Sequence, residues 1–554
     1  MTQQGKCVTG KDRRKPSRAQ GWQFWQGAGE YEPYTAVVLD CIFARLSAQE
    51  LWRCGGVCQA WRRAAYDSSL WRHLLLPNAT PQTLRTFEAA QNVEDQKGKI
   101  SEDAWSWRKE YALETARWIR CGRLQARGAS SSPLLCAALH DNDRYLALVD
   151  EDAHVTIWEH LLSNTEKSTE SSWAVRWNGV VSPEWRGVAL AQWAPRSTRL
   201  LLAGRLTLVE RYEMIVVHFD EEWCSRVVCR SASGPGGAGC WVDDDVFLSL
   251  RLRLLAPGRA CTTLWLNAAT QEIYSEYAGV TTPLLRIYNE AATHISHILV
   301  AEVPSEEIAY FENENNNATE QVSSEPQAPY YSALRPRKFE KDKRKQRILI
   351  AAGGVAGGAR GKAQALLMWP LPSLEMPMLW VGDHLAQRVQ QHRNRIRAPE
   401  PQPDEEPDED AVRALCSRPT TSCCLYAQIF GIVLHPRGGC VWVTTEAGVW
   451  CVSLPALEPV LRLSRDATVP SVTEIPPHYL FPCVDDDYFI TPAGDGSGRV
   501  RLWTVRSGRC GAQLQHDAPV LAVFLPKRAH SLPGSRRLLV LAADALHVWQ
   551  SLVN

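Results

Sequence analysis

LLCAALHDNDRYLALVDEDAHVTIW, residues 134–158, decides how most of this chain reads. Three apolar runs of five or six residues are separated by short acidic turns. The turns fall at His140–Asp143 and Asp150–Ala153. In the third run Val155 and Ile157 alternate with polar neighbours, so one face is buried at the two-residue period of a strand. Apolar strands of this length, punctuated by turn residues, predict an antiparallel meander.

The unit recurs. Val520–Leu525, Arg537–Leu541 and a strand ending at Trp549 repeat it. Ahead of them DGSGRVRLW, residues 495–503, repeats its last turn and strand, with Val500 and Leu502 alternating. Comparable strand ends fall at Trp158, Phe219, Leu266, Trp369, Leu454, Trp503 and Trp549. Two intervals are long, and each holds a polar insert, 304–346 and 383–424. Without them the spacing is that of a repeat array, and seven units predict a mainly β chain built as a seven-bladed β-propeller over 120–554. A propeller must close or leave strand edges open to pairing with other chains. The segment near Trp118–Leu124 is therefore expected to supply an outer strand to the last blade. The 22 Trp residues fit large buried strand positions.

Before the repeats the pattern is helical. Residues 102–118 read as a connector helix within a helical connector of 76–119. Residues 34–71, YTAVVLDCIFARLSAQELWRCGGVCQAWRRAAYDSSLW, read as three short helices. Val38, Cys41, Ile42 and Leu46 recur at helical steps. Ser47 and Glu50 form a capping box, worth about 1 kcal/mol, that fixes a second helix start before Leu51. Gly55-Gly56 stops that helix, and Val57, Cys58, Trp61 and Ala65 give a third face.

These residues resemble an F-box, the helical element that docks a protein onto a cullin-type ubiquitin ligase. Ile42-Phe43, Leu46, Val57-Cys58-x-x-Trp61 and Leu70-Trp71 match its pattern, and Tyr34-Thr35 stands where Leu-Pro is usual. The order of F-box (31–75), connector and degenerate WD-type repeats is similar to the F-box/WD-repeat family. Cys240-Trp241, Leu264-Trp265-Leu266-Asn267, residues 431–435 and the final two blades carry that resemblance. It implies a substrate receptor: Tyr34, Val38, Ile42, Phe43, Leu46, Leu51, Val57, Cys58, Trp61, Leu70 and Trp71 would contact a Skp-type adaptor bound to a cullin, and the propeller would hold the protein to be ubiquitinated. It also implies a second cullin scaffold, reached through a damaged-DNA-binding-type adaptor by a Trp-Asp-x-Arg motif. Here that motif reads Trp503-Thr504-Val505-Arg506. Regulatory and centrosome-duplication proteins are the implied substrates.

Composition excludes other classes. Lys+Arg and Asp+Glu both number 61, so no net field favours nucleic acid or an anionic membrane. No apolar run reaches the ~20 residues of a membrane span. The N-terminus, 1–30, reads as a disordered basic tail without a signal-peptide core. The 17 scattered cysteines contain no CxxC pair and read as reduced thiols of a cytoplasmic or nuclear chain, and the family resemblance adds a centrosomal location. No G-x-S-x-G and no metal-spaced His cluster occurs, so neither a catalytic site, a cofactor nor a metal is expected. GGVAGGARGK, 353–362, has Ala356 and Ala363 where a phosphate loop needs Gly and Ser/Thr, and reads as a hairpin turn. The basic segment 335–347 reads as solvated. The acidic runs Asp243–Asp245 and Asp485–Asp487 read as turns. A WD-repeat scaffold without ligase function, with 34–71 as a structural cap, is the alternative.

Overall fold

The computed structural model describes residues 33–76, 107–125, 132–161, 173–209, 211–256, 259–270, 281–289, 295–304, 345–353, 365–371, 416–425, 427–464, 480–493, 496–527 and 536–552. The chain divides into two compact units, 1–79 with 106–111, and 80–105 with 112–554. The expected tail, 1–30, lies outside the described residues.

The first unit is helical. α1 (Pro33–Phe43), α2 (Ala48–Cys54), α3 (Gln59–Ala65) and α4 (Ser68–Leu75) follow one another. The expectation of three helices is corrected to four. The missed start is Asp67, whose Oδ1 accepts the Ser69 N–H at 2.7 Å and so caps α4. The capping box of α2 is present: the Ser47 N–H donates to Glu50 Oε2 at 2.8 Å, and Ser47 Oγ accepts from the Glu50 N–H. The Ser47 N–H bond holds the Glu50 carboxyl below its ordinary value. α2 does end at Gly55, but for an unexpected reason. Gly55 keeps a right-handed helical conformation, and a Cβ there would lie 2.7 Å from the Tyr66 ring. The glycine makes room for an aromatic; it does not reverse the chain. Phe43, Ala48, Leu51, Ala65, Trp71 and Leu75 are buried. The Trp71 indole N–H donates to the Ala65 carbonyl at 2.8 Å.

α5 spans Trp107–Glu114, and the boundary between the units falls inside it. It is shorter than the expected 102–118, since a strand begins at Arg117. The connector therefore ends before 119. In the first unit the Arg108 guanidinium lies 3.6 Å from the Tyr66 ring centre and 4.8 Å from that of Trp52.

The second unit is a propeller of seven four-stranded antiparallel sheets. Blades 1 to 6 span 134–180, 185–233, 239–289, 295–424, 429–464 and 483–515, and blade 7 spans 520–552. Six of the expected strand ends fall within the third strand of successive blades, and Leu454 directly follows its own. Arg117–Leu124 pairs antiparallel with Leu546–Leu552 as the outer strand of blade 7, which closes the ring as the edge argument required.

The core consists of interfaces between blades. Among the described residues seven apolar clusters occur, each joining two adjacent blades. A blade buried on both faces needs continuous apolar strands, which is why Leu146–Val149 and Ile348–Ala352 carry no polar residue. Two tryptophans at these interfaces satisfy their indole N–H on the neighbouring blade. Trp193 donates to the Ala138 carbonyl and Trp241 to the Gln192 carbonyl, both at 3.0 Å.

The insert boundaries need correction. Pro304 pairs with Lys345 and Val303 with Gln346, so both ends of 304–346 are strand, as is Arg347 of the basic segment. Thr421–Cys424, placed in the second insert, is the outer strand of blade 4. The inserts' remainders, 305–344 and 383–415, lie outside the described residues. Gly353 pairs with Ala365 across an antiparallel hairpin, so the glycine-rich segment joins strand to strand.

The acidic runs are turns with a second duty. Asp485 Oδ1 accepts the N–H groups of Asp487 and Tyr488, and Asp243 Oδ1 those of Asp245 and Val246. The remaining carboxylates reach across blades. Arg437 of blade 5 grips Asp486 of blade 6 at 2.6 and 2.9 Å. Arg536, just ahead of blade 7's second strand, holds both Asp485 and Asp487. Arg199 of blade 2 binds Asp245 of blade 3 at 3.0 Å.

Buried histidines make this ring pH-sensitive. His435 is 1% exposed, and its Nδ1 accepts the Arg437 N–H at 3.2 Å. Burial pulls it from 6.5 down to about 4. Between those values the unfolded chain takes a proton that the folded chain refuses, so stability is full above pH 6.5 and falls as pH falls. Urea titrations at pH 7 and pH 5 should differ by about 2 kcal/mol from this group. His435→Asn should remove that share, and an unchanged difference in the variant would contradict it.

Candidate functional site

The residues singled out in 34–71 separate into three sets. Phe43, Leu51 and Trp71 are buried in the core of this unit. Leu46, Trp61 and Leu70 are half-buried, with Trp61 edge-on to Phe43 at 5.5 Å between ring centres. Val38, Ile42 and Val57 stand out, 57, 49 and 45% exposed, and Cys58 is also exposed. Tyr34 lies in α1, but its side chain is outside the described residues.

The local reasons are plain. Val38 and Ile42 are four residues apart on α1, hence on one face with Cys41, one helical turn in length. A periodic apolar stripe ordinarily faces its own core. Here the stripe faces solvent, and Phe43, one step on, turns inward instead. Val57 sits in the turn between α2 and α3, directly before Cys58. The Cys58 Sγ accepts the Trp61 N–H at 3.4 Å and caps α3. The helical frame therefore presents β-branched side chains outward while Leu51, Trp71 and Leu75 hold it together.

Residues 37–77 match the F-box-like family model. This segment is an F-box-like domain. The chain is also similar to F-box/WD repeat-containing protein 5 of Rattus norvegicus and of Homo sapiens, 23% identical over 266 residues in each case. The match takes in 47% of this chain and 42% of each relative, so it spans less than half of those proteins.

Two further places lie outside the F-box-like domain. Trp503 lies in the third strand of blade 6, half-buried, its indole N–H without a hydrogen-bond partner. Arg506 follows in the turn, half-buried, and its charge helps hold Asp486 low, behind the larger effect of Arg437. Thr504, at the position of the motif's Asp, is fully buried. Its hydroxyl bonds with the Ser507 hydroxyl inside the same turn.

The second place is the propeller's central channel, a cavity of about 410 Å³ lined by the innermost strands and their lead-ins from all seven blades. Leu139, Leu190, Leu299, Val433, Phe481 and Phe524 line it, half-buried. Sequence reasoning named no channel residue. No local signal marks them, because the innermost strands of blades 1 and 7 are apolar on both faces and which residues face the axis depends on ring closure. Among the described residues no group of three or more His, Cys, Asp or Glu side chains is placed to hold a metal. No described helix is long and apolar enough to cross a membrane.

Proposed function

We propose that this chain is the substrate-recognition subunit of a Skp-cullin-F-box-type ubiquitin-protein ligase. The observation that carries the reading is the outward apolar face of α1, Val38 and Ile42, within a domain that matches the F-box-like model. A Skp-type adaptor would cover that face and Val57. Burying the exposed half of three such side chains contributes roughly 1 kcal/mol each. The propeller supplies the other end and holds the protein to be ubiquitinated.

On this reading the chain performs no bond chemistry. Ubiquitin leaves a thioester on another protein, and the receptor acts by tethering, which raises the local substrate concentration to the millimolar range. The proposal extends to a damaged-DNA-binding-type adaptor on a second cullin, supported by the retained Trp503 and Arg506, and to action in the cytoplasm.

Co-expression with a Skp-type adaptor, followed by affinity capture, tests the proposal. The intact chain should retain the adaptor, and a chain lacking 33–76 should not. Absence of capture by the intact, folded chain would sink the receptor reading. In the same experiment Arg506→Ala should lower recovery of the damaged-DNA-binding-type adaptor alone, and unchanged recovery would remove that extension.

A further inference from the structure

Two cysteines far apart in sequence meet at the seam between blades 3 and 4. Cys261 lies in the third strand of blade 3, Arg259–Ala268, and is buried. Cys416 lies just ahead of blade 4's outer strand and is half-buried. Their sulfurs are 3.9 Å apart across 155 residues of chain.

Hydrogen bonds fasten the segment that carries Cys416. The Ser417 N–H donates to the Arg286 carbonyl of blade 3's outer strand at 2.7 Å. The Ser417 carbonyl accepts the Trp369 indole N–H of blade 4 at 3.3 Å. The Thr420 N–H donates to the Met368 carbonyl at 2.8 Å. The segment from Cys416 to Thr420 is therefore fastened to both blades, and the Cys416 thiol meets Cys261 as a result. A disulfide requires sulfurs about 2.05 Å apart, so closure asks the pair to approach by roughly 2 Å.

We propose that Cys261 and Cys416 form a disulfide-modification site, a covalent staple between blades 3 and 4 made by exchange with a small-molecule disulfide such as oxidised glutathione. The Cys416 thiolate attacks one glutathione sulfur and expels glutathione thiolate, leaving a mixed disulfide on Cys416. The Cys261 thiol gives its proton to solvent, and its sulfur attacks Cys416 Sγ and expels the second glutathione. Two protein thiols are oxidised, and one oxidised glutathione is reduced to two thiols.

Cys416 is the entry point because it is the accessible member. Cys440 and Cys451, paired in blade 5, offer a useful contrast, since both are completely buried and present no such entry. Burial, with the Cys261 thiol beside it, pushes Cys416 up to about 11, so exchange at neutral pH is slow. The staple does not depend on the receptor reading.

The full chain, incubated with oxidised glutathione at mildly alkaline pH without denaturant, tests it. Remaining thiols are blocked with N-ethylmaleimide, and the protein is digested without reduction. Mass spectrometry should find the peptides of Cys261 and Cys416 joined, with two hydrogens lost. The thermal midpoint should rise by about 5 °C, reversed by dithiothreitol, because a loop of this length is closed in the unfolded chain. Cys416→Ser should show neither change. A Cys416 carrying only glutathione, a different partner for either cysteine, or both thiols blocked by maleimide in the folded protein would each overturn the proposal.

Discussion

Glutamate at both Val38 and Ile42 is expected to weaken capture of a Skp-type adaptor by a hundredfold or more while leaving the chain folded. Both side chains are about half exposed on α1, so in the free protein the new carboxylates stay hydrated and the helix tolerates them. Under an adaptor the same positions lose apolar burial and must strip water from two charges. Together these cost about 3 kcal/mol or more, which is where the hundredfold comes from. Leu51→Ala is the informative contrast. Leu51 is core, so its truncation costs about 2–5 kcal/mol of domain stability and lowers capture by unfolding the site. Circular dichroism separates the two mechanisms. Undiminished capture by the folded double variant would show that the adaptor does not dock through this face.

Arg536→Ala should be the most damaging single change in the propeller's charged turns, costing about 3 kcal/mol or more of stability. Arg536 holds Asp485 and Asp487 of the neighbouring blade and lies 5.5 Å from the Tyr488 ring centre. Asp487 is almost completely buried. Burial already pushes Asp485 up, against the pull of Arg536. Removing the cation leaves the Asp485 and Asp487 carboxylates close together, on either side of the Asp486 carboxylate that Arg437 holds. Protonation relieves the defect, so the stability gap between wild type and variant should narrow as pH falls toward 4. Urea titrations of both proteins at pH 7 and pH 4.5 measure this. A gap that is small, or that does not change with pH, would contradict the clamp.

Local features of the structure were legible where chemistry acts between near neighbours in sequence. Ser47 and Glu50 are three residues apart, so their capping box could be read directly. The apolar runs of 134–158 and the acids between them marked strands and turns because side-chain alternation and turn preference are local properties. The closing strand near Trp118–Leu124 was legible for another reason: an open ring leaves an unpaired edge, and that requirement could be stated without coordinates.

Other features depend on partners distant in sequence. Helical period groups Val38, Cys41 and Ile42 on one face, yet it does not say whether the face meets its own core or solvent. Phe43 takes the core beside Trp61, and that leaves the stripe outward. Gly431 carries no local signal either. A Cβ there would lie 2.3 Å from the Leu480 carbonyl oxygen of the approaching chain, so glycine is needed only because another strand passes close by.

By itself, then, the sequence determined the repeat, the number of blades, the need for closure and the presence of a short-helix unit ahead of the repeats. Each follows from periodicity, turn chemistry or capping over a few residues. Only the tertiary structure decided which apolar side chains are support and which are surface, which acids Arg437 and Arg536 neutralise, and that Cys261 meets Cys416. Burial and charge pairing are properties of neighbours in space, and ring closure brings together residues that the chain keeps far apart.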